Sequence, residues 1–174
     1  MAVALATPFY IDLGFSLTEI GVIAKNAALW PSIVGGLLGG VLMIKIGINR
    51  ALWWFGGVQI ITIFGFALLA EMGDNPWVLA LVISLEYLGV GLGTAAITAF
   101  MARATNPVFA ATQFALLSAL ATVPRTFSSA LSGVLVENMG WTQFYFFCAA
   151  LAVPGMLLLF KVAPWHDHTP TEQR

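Results

Sequence analysis

A chain of 174 residues in which 60% are hydrophobic and only 9% charged carries too little charge for a soluble domain, where about a quarter of residues are charged. With a mean hydropathy of +0.92 it is expected to be an integral membrane protein built of helices, because a lipid-exposed strand edge would leave backbone groups unpaired. The net charge of −1 comes with no basic cluster to offer nucleic acid, and a single cysteine, Cys148, excludes an internal disulfide or a cysteine metal cluster.

Residues 1–13 are apolar but fall short of the about 20 residues that a crossing needs. They lack the positive n-region of a signal peptide, and are expected to be the closing part of a truncated span. Ser16-Leu17-Thr18-Glu19 has the form of a capping box, with Ser16 as N-cap and Glu19 reaching back. It opens a helix over 17–46 that contains Lys25, Asn26 and Pro31, the proline being expected to kink it. Gly35 and Gly39 stand four apart, as do Gly36 and Gly40. Small residues at that spacing let another helix approach closely, and Gly36 and Gly40 are the pair expected in contact.

Gly47-Ile48-Asn49 turns the chain into a greasy span over 50–71, whose only internal polar side chains are Gln59 and Thr62. Gly73-Asp74-Asn75-Pro76 is a turn with proline placed to start a helix. That helix covers 76–103 and carries Glu86 with Gly89, Gly91 and Gly93. Thr105-Asn106-Pro107 leads into a long helix over 107–139 that holds Arg125. Asn138-Met139-Gly140 ends it, and the last span covers 141–162, interrupted at Pro154.

Residues 1–163 thus make one all-α membrane domain of five full spans and a partial one, followed by a polar tail over 164–174. Lys45, Arg50, Arg103, Lys161 and Arg174 fall on one side of the membrane. Asp12, Glu19, Glu71, Asp74 and Glu137 fall on the other, with no lysine or arginine among them. The positive-inside rule makes the basic side cytoplasmic and places the C-terminus there.

Three charges, Lys25, Glu86 and Arg125, remain within the spans. Counted from the acidic ends of their helices they lie roughly 12, 15 and 18 Å deep, near the middle of a hydrocarbon layer about 30 Å thick. A charge there costs about 2.5–3.5 kcal/mol on insertion scales unless it faces protein or water. Ser118, Thr122, Arg125, Ser129 and Ser132 follow one another at gaps of 4, 3, 4 and 3, which puts a polar stripe on one side of that helix. Two accounts stand open. Glu86 and Arg125, on consecutive antiparallel helices, could form a pair that only locks the helices together. Alternatively the charges mark a midplane site of the kind where secondary transporters hold substrate and coupling ions. Their sum of +1 suits an anionic solute.

No H-E-x-x-H, G-x-S-x-G or G-x-x-x-x-G-K-[ST] is present, so the enzyme classes that depend on them find no support. His166 and His168 sit in the tail, where solvation is the default, and Cys148 has no positive neighbour and fits an inert core position. Trp77, Trp141 and Trp165 mark span ends, as interfacial anchors do.

From Gly40 to Arg50 the chain reads G-V-L-M-I-K-I-G-I-N-R, which resembles the loop motif of the major facilitator superfamily. Gly40, Lys45, Gly47 and Arg50 match it, and Ile44 stands where the family usually has aspartate. That aspartate helps latch the two halves of the family's transporters, so this loop lacks the group for that latch. The runs ATQFALLSALA from Ala111, GWTQFY from Gly140, ATPFYIDLGFS and EIGVIAKN resemble the AmpG family of permeases. The resemblance covers nearly the whole chain, but only the C-terminal half of that family, from a truncated helix seven to helix twelve. It implies a fold in which helices seven, eight, ten and eleven line a cavity, and Lys25, Glu86 and Arg125 fall on eight, ten and eleven.

The resemblance further implies proton-coupled import of anhydro-muropeptides across the bacterial inner membrane, by a multi-pass protein surrounded by lipid. Lys25 and Arg125 would contact substrate carboxylates, Glu86 would exchange protons, and Gln113, Ser118, Thr122 and Ser129 would hydrogen-bond sugar or peptide. A missing N-terminal half or a second copy would complete the cavity; no cofactor, metal or nucleic acid is implied. The competing expectations are a carrier of another anionic solute and a non-transporting helical assembly.

Overall fold

The computed structural model describes residues 5–72, 75–163 and 165, with the side chains of Met72 and Arg125 outside the description. The expected turn at Gly73-Asp74 and the tail histidines therefore lie outside the described residues. Among the described residues six helices follow in order: α1 (Ala6–Asp12), α2 (Leu17–Ile46), α3 (Ile48–Met72), α4 (Pro76–Ala104), α5 (Ala110–Met139) and α6 (Trp141–Val162). The last five are long and apolar enough to cross a membrane.

Local chemistry sets the helix ends. Ser16 Oγ accepts from the Glu19 N–H while Glu19 Oε2 accepts from the Ser16 N–H at 2.9 Å, so the capping box forms in full. Asn75 caps α4, its side-chain oxygen accepting from the Trp77 N–H at 3.0 Å with Pro76 in the first turn. Gly47 and Gly140 close α2 and α5 at φ of +82° and +77°, a region that side chains with a Cβ seldom enter. α2 and α6 run as helices through Pro31 and Pro154, so the interruption expected at Pro154 does not occur. Proline removes one donor, and membrane helices tolerate that where neighbouring groups and local adjustments re-satisfy the freed carbonyl. Residues 20–24 of α2 form a π-helical turn, which nothing in the composition of that stretch announces.

The closest helix pair is α2 with α4, and glycine makes it possible. A Cβ at Gly35 would strike the Leu88 carbonyl oxygen, one at Gly91 the Ser32 carbonyl oxygen, and one at Gly39 would stand 3.1 Å from Ala95 Cβ. A Cβ at Gly36 or Gly40 meets open space. The contact pair is therefore Gly35/Gly39, one residue out of register from the pair expected. The four-residue spacing identifies a small-residue stripe, but two stripes were available and helix rotation chose between them.

α3 lies between α4 and α6. At the acidic end, α1 is tied into the bundle by Phe9, which meets Phe66, Trp141 and Tyr145 at centroid distances of 6.2, 4.9 and 5.1 Å. Such aromatic pairs contribute about 0.5–1.5 kcal/mol each beyond burial. Trp141 Nε1–H also donates to Asp12 Oδ2 at 3.0 Å. At the basic end, Trp53 Nε1–H donates to the Ala163 carbonyl at 3.0 Å and its ring meets Phe160 edge-on. By contrast, α5 touches its neighbours lightly, and none of its most apolar stretch is buried.

Replacing Gly35 with leucine is expected to lower folded yield sharply, because overpacking a tight contact costs about 1–3 kcal/mol or more. Gly40→Leu is expected to fold with near wild-type yield. Thermal unfolding of both variants in detergent checks the pair; equal loss in the two would contradict the assignment of the contact face.

Candidate transport site

Glu86 is the most deeply buried charged side chain among the described residues, at 1% exposure. Its carboxyl does not face the open side of the bundle. Oε1 accepts from Gln59 Nε2 at 2.6 Å, and Oε2 lies 2.5 Å from Thr62 Oγ1, both on α3. The expectation that all three intramembrane charges line one cavity is thus corrected for Glu86, whose partners are the two polar side chains of α3. No role was expected for Gln59 and Thr62, although a signal was present. Thr62 stands ten residues from Met72 and Glu86 ten from Pro76, which puts both roughly 15 Å from the acidic ends of adjacent antiparallel helices. Gly89, one turn along from Glu86, leaves room for the Gln59 amide; a Cβ there would stand 3.1 Å from Gln59 Oε1.

Lys25 follows the π-helical turn directly and lines a cleft of about 240 Å3 between α1, α2 and α4. Thr7 and Tyr10 of α1 and Ile83 and Tyr87 of α4 share that cleft. The cleft is polar, supplying a cation, two phenols and a hydroxyl. Inserted π-turns recur at functional sites. A larger groove between α3, α4 and α6, about 430 Å3, is lined by Leu52, Phe55, Ile97, Met156 and similar residues. Apart from Gln59 and Thr94 its walls are apolar, so it suits an acyl chain better than a charged solute.

The stripe on α5 is only partly occupied with itself. Thr122 Oγ1–H donates to the Ser118 carbonyl at 2.9 Å and Ser132 Oγ–H to the Ser128 carbonyl at 2.7 Å. Ser118 and Thr122 are exposed, Ser129 is half-buried and Ser132 fully buried. Arg125 lies at mid-helix on the same element, and its side chain is outside the described residues. Gln113 is exposed and its Oε1 accepts from the Asn106 N–H at 2.7 Å, so it caps the turn that precedes α5.

At the basic end, Gly47 ends α2 and Arg50 lies over the Trp165 ring at 5.9 Å. Arg103 at the end of α4 donates to Asn49 at the start of α3. Lys45 is exposed, and Ile44, in the aspartate position of the loop motif, is 85% exposed.

Five apolar spans around buried polar groups, with a cationic cleft part-way through, define a multi-pass membrane protein of the transporter class. The family model for the Major Facilitator Superfamily matches residues 1–174, and the chain belongs to that superfamily. Within it the chain is similar to the anhydromuropeptide permease of Escherichia coli (strain K12), 41% identical over 97% of this chain and 34% of the permease. An uncharacterized protein of Haemophilus influenzae is 51% identical over 94% of this chain and 40% of its own length. The putative transporter AmpG 4 of Rickettsia felis is 35% identical, covering 90% of this chain and 38% of that protein. The chain is AmpG-like and spans well under half the length of the relatives it matches.

Glu86→Leu is expected to destabilise the bundle, since it strands the Gln59 amide against an apolar side chain at a cost of about 1–3 kcal/mol. Glu86→Gln retains a planar donor–acceptor group of the same size and should stay close to wild type. Thermal unfolding of both in the same detergent measures the difference; a Glu86→Leu variant as stable as Glu86→Gln would show that the α3 contacts contribute nothing.

Proposed function

We propose that this chain acts as the C-terminal half of a proton-coupled secondary transporter that imports anhydro-muropeptides across the bacterial inner membrane for cell-wall recycling. Residues 1–163 form its transmembrane half and 164–174 a cytoplasmic tail. The observation that carries the substrate class is the similarity to an anhydromuropeptide permease along 97% of the chain. Lys25 is a contact for a substrate carboxylate, because it lines a polar cleft together with Tyr10 and Tyr87. Arg125 is a second such contact, reached from the α5 stripe, with Ser118, Thr122, Ser129 and Gln113 as hydrogen-bonding groups at its margin. Glu86 exchanges the coupled proton. Gly40 and Lys45 in the last turns of α2, Gly47 at its end and Arg50 in the first turn of α3 form the motif that moves with the cytoplasmic ends of the helices.

Alternating access needs one helical half to rock against another around the site. The face of α5 is the surface such a partner covers, whether an N-terminal half or a second copy of this chain. The second reading is a helical assembly that does not transport, and the closure of Glu86 on neutral groups of α3 favours it.

Uptake of labelled anhydro-muropeptide by vesicles from permease-deficient cells separates the two. Uptake is expected when the chain is co-expressed with the N-terminal portion of an AmpG permease, and not from the chain alone as a monomer. Lys25→Ala and Arg125→Ala should each lower it about tenfold or more, the scale of one lost charge-assisted hydrogen bond. No uptake from the co-expressed pair would leave the non-transporting reading standing, uptake unchanged in both variants would remove Lys25 and Arg125 from the site, and uptake by the isolated monomer would overturn the need for a second half.

A further inference from the structure

Thr62 Oγ1 lies 2.5 Å from Glu86 Oε2 and 2.9 Å from the Gln59 carbonyl oxygen. A threonine hydroxyl has one hydrogen to donate and two lone pairs with which to accept. It can donate to one of these oxygens, and must present a lone pair to the other. Were Glu86 a carboxylate, both neighbours would be acceptors only, and one of the two contacts would set lone pair against lone pair. A proton on Glu86 Oε2 closes the set. Glu86 O–H then donates to Thr62 Oγ1, Thr62 O–H donates to the Gln59 carbonyl, and Gln59 Nε2–H donates to Glu86 Oε1 at 2.6 Å.

The surroundings favour the same state. Tyr10 of α1 and Tyr145 of α6 are within electrostatic reach of Glu86, and both are phenols that carry no charge near neutral pH. On α4 itself the neighbouring titratable group is Tyr87, which points with Ile83 into the Lys25 cleft. α2 contributes Lys25 to that cleft, on a different face of α4 from the carboxyl. No described cation bonds Glu86, and an unpaired buried carboxylate is strongly disfavoured where a neutral acid is not.

We propose that Gln59 and Thr62 are positioning residues that hold Glu86 as the neutral acid, so that α3 builds the proton-carrying site together with α4. This rests on Glu86 being the proton-exchanging group. Gly89 belongs to the same device, since it leaves the space that the Gln59 amide occupies. Loss of the proton to water leaves a carboxylate beside Thr62, whose hydroxyl must then swing its hydrogen from the Gln59 carbonyl to Glu86 Oε2. Proton occupancy is thereby tied to the α3–α4 contact.

Infrared spectroscopy of the 174-residue chain in lipid bilayers tests this without any transport step. At neutral pH a carboxylic-acid carbonyl band is expected that is lost in Glu86→Gln. The band should move to higher frequency in Thr62→Val and Gln59→Leu, each of which removes one hydrogen bond from the acid, and return to its place in Thr62→Ser. Thr62→Ala gives the same readout should Thr62→Val fail to insert. Absence of a Glu86-dependent acid band, or a band that neither Thr62 variant shifts, overturns the proposal. An intact, Thr62-sensitive band together with pH-independent uptake in the co-expression assay would support the positioning by α3 and overturn proton coupling alone.

Discussion

The bundle depends on the backbone contact between α2 and α4. Lipid gives two apolar helices no hydrophobic reason to associate, so association relies on close packing and on polar contacts. Gly35, Gly39 and Gly91 supply the first by letting backbone meet backbone. That contact also sets the rotation of α4. With Leu88, Gly91, Leu92 and Ala95 turned to α2, a helix of 3.6 residues per turn carries Glu86 to the opposite side and Ile83 and Tyr87 to a third. The glycine contact therefore decides that the carboxyl meets α3 while the tyrosine joins Lys25.

Three sets of intramembrane polar groups are accommodated by different routes. The Glu86 carboxyl is closed over by Gln59 and Thr62, a polar network buried within the bundle. Lys25 keeps access to a cleft beside the π-helical turn. The exposed hydroxyls of Thr122 and Thr126 on α5 bond back to their own helix, one turn away, which lowers the cost of exposing that face but leaves donors and acceptors on it. On the transporter reading proposed above, these three routes fit together: one group is locked inside the half, one would look into the path, and one would lie on a face that a partner covers.

Much of the architecture was legible from local signals. The capping box at Ser16, the asparagine cap and proline at the start of α4, and Gly47 and Gly140 at helix ends are short-range hydrogen-bonding and backbone effects, and they fall where the sequence places them. The spans follow from runs of apolar residues bounded by those signals. The interruption expected at Pro154 did not occur, because one missing donor is a small perturbation to a long helix held by its neighbours. The π-helical turn ahead of Lys25 had no local signature.

The sequence by itself determined how deep each polar group sits, because depth is a count of residues at a fixed rise. It did not determine which way each group faces. Azimuth depends on how a helix is rotated against its neighbours, and that rotation is chosen by contacts between residues far apart in the chain. Hence the sequence showed two glycine stripes on α2, and only the packing against Leu88 and Ala95 selected Gly35 and Gly39. Hence also the depth of Glu86 and of Thr62 was available from counting, while their hydrogen bond was not. Tertiary structure decided the partners, because a partner is a matter of rotation as well as of depth.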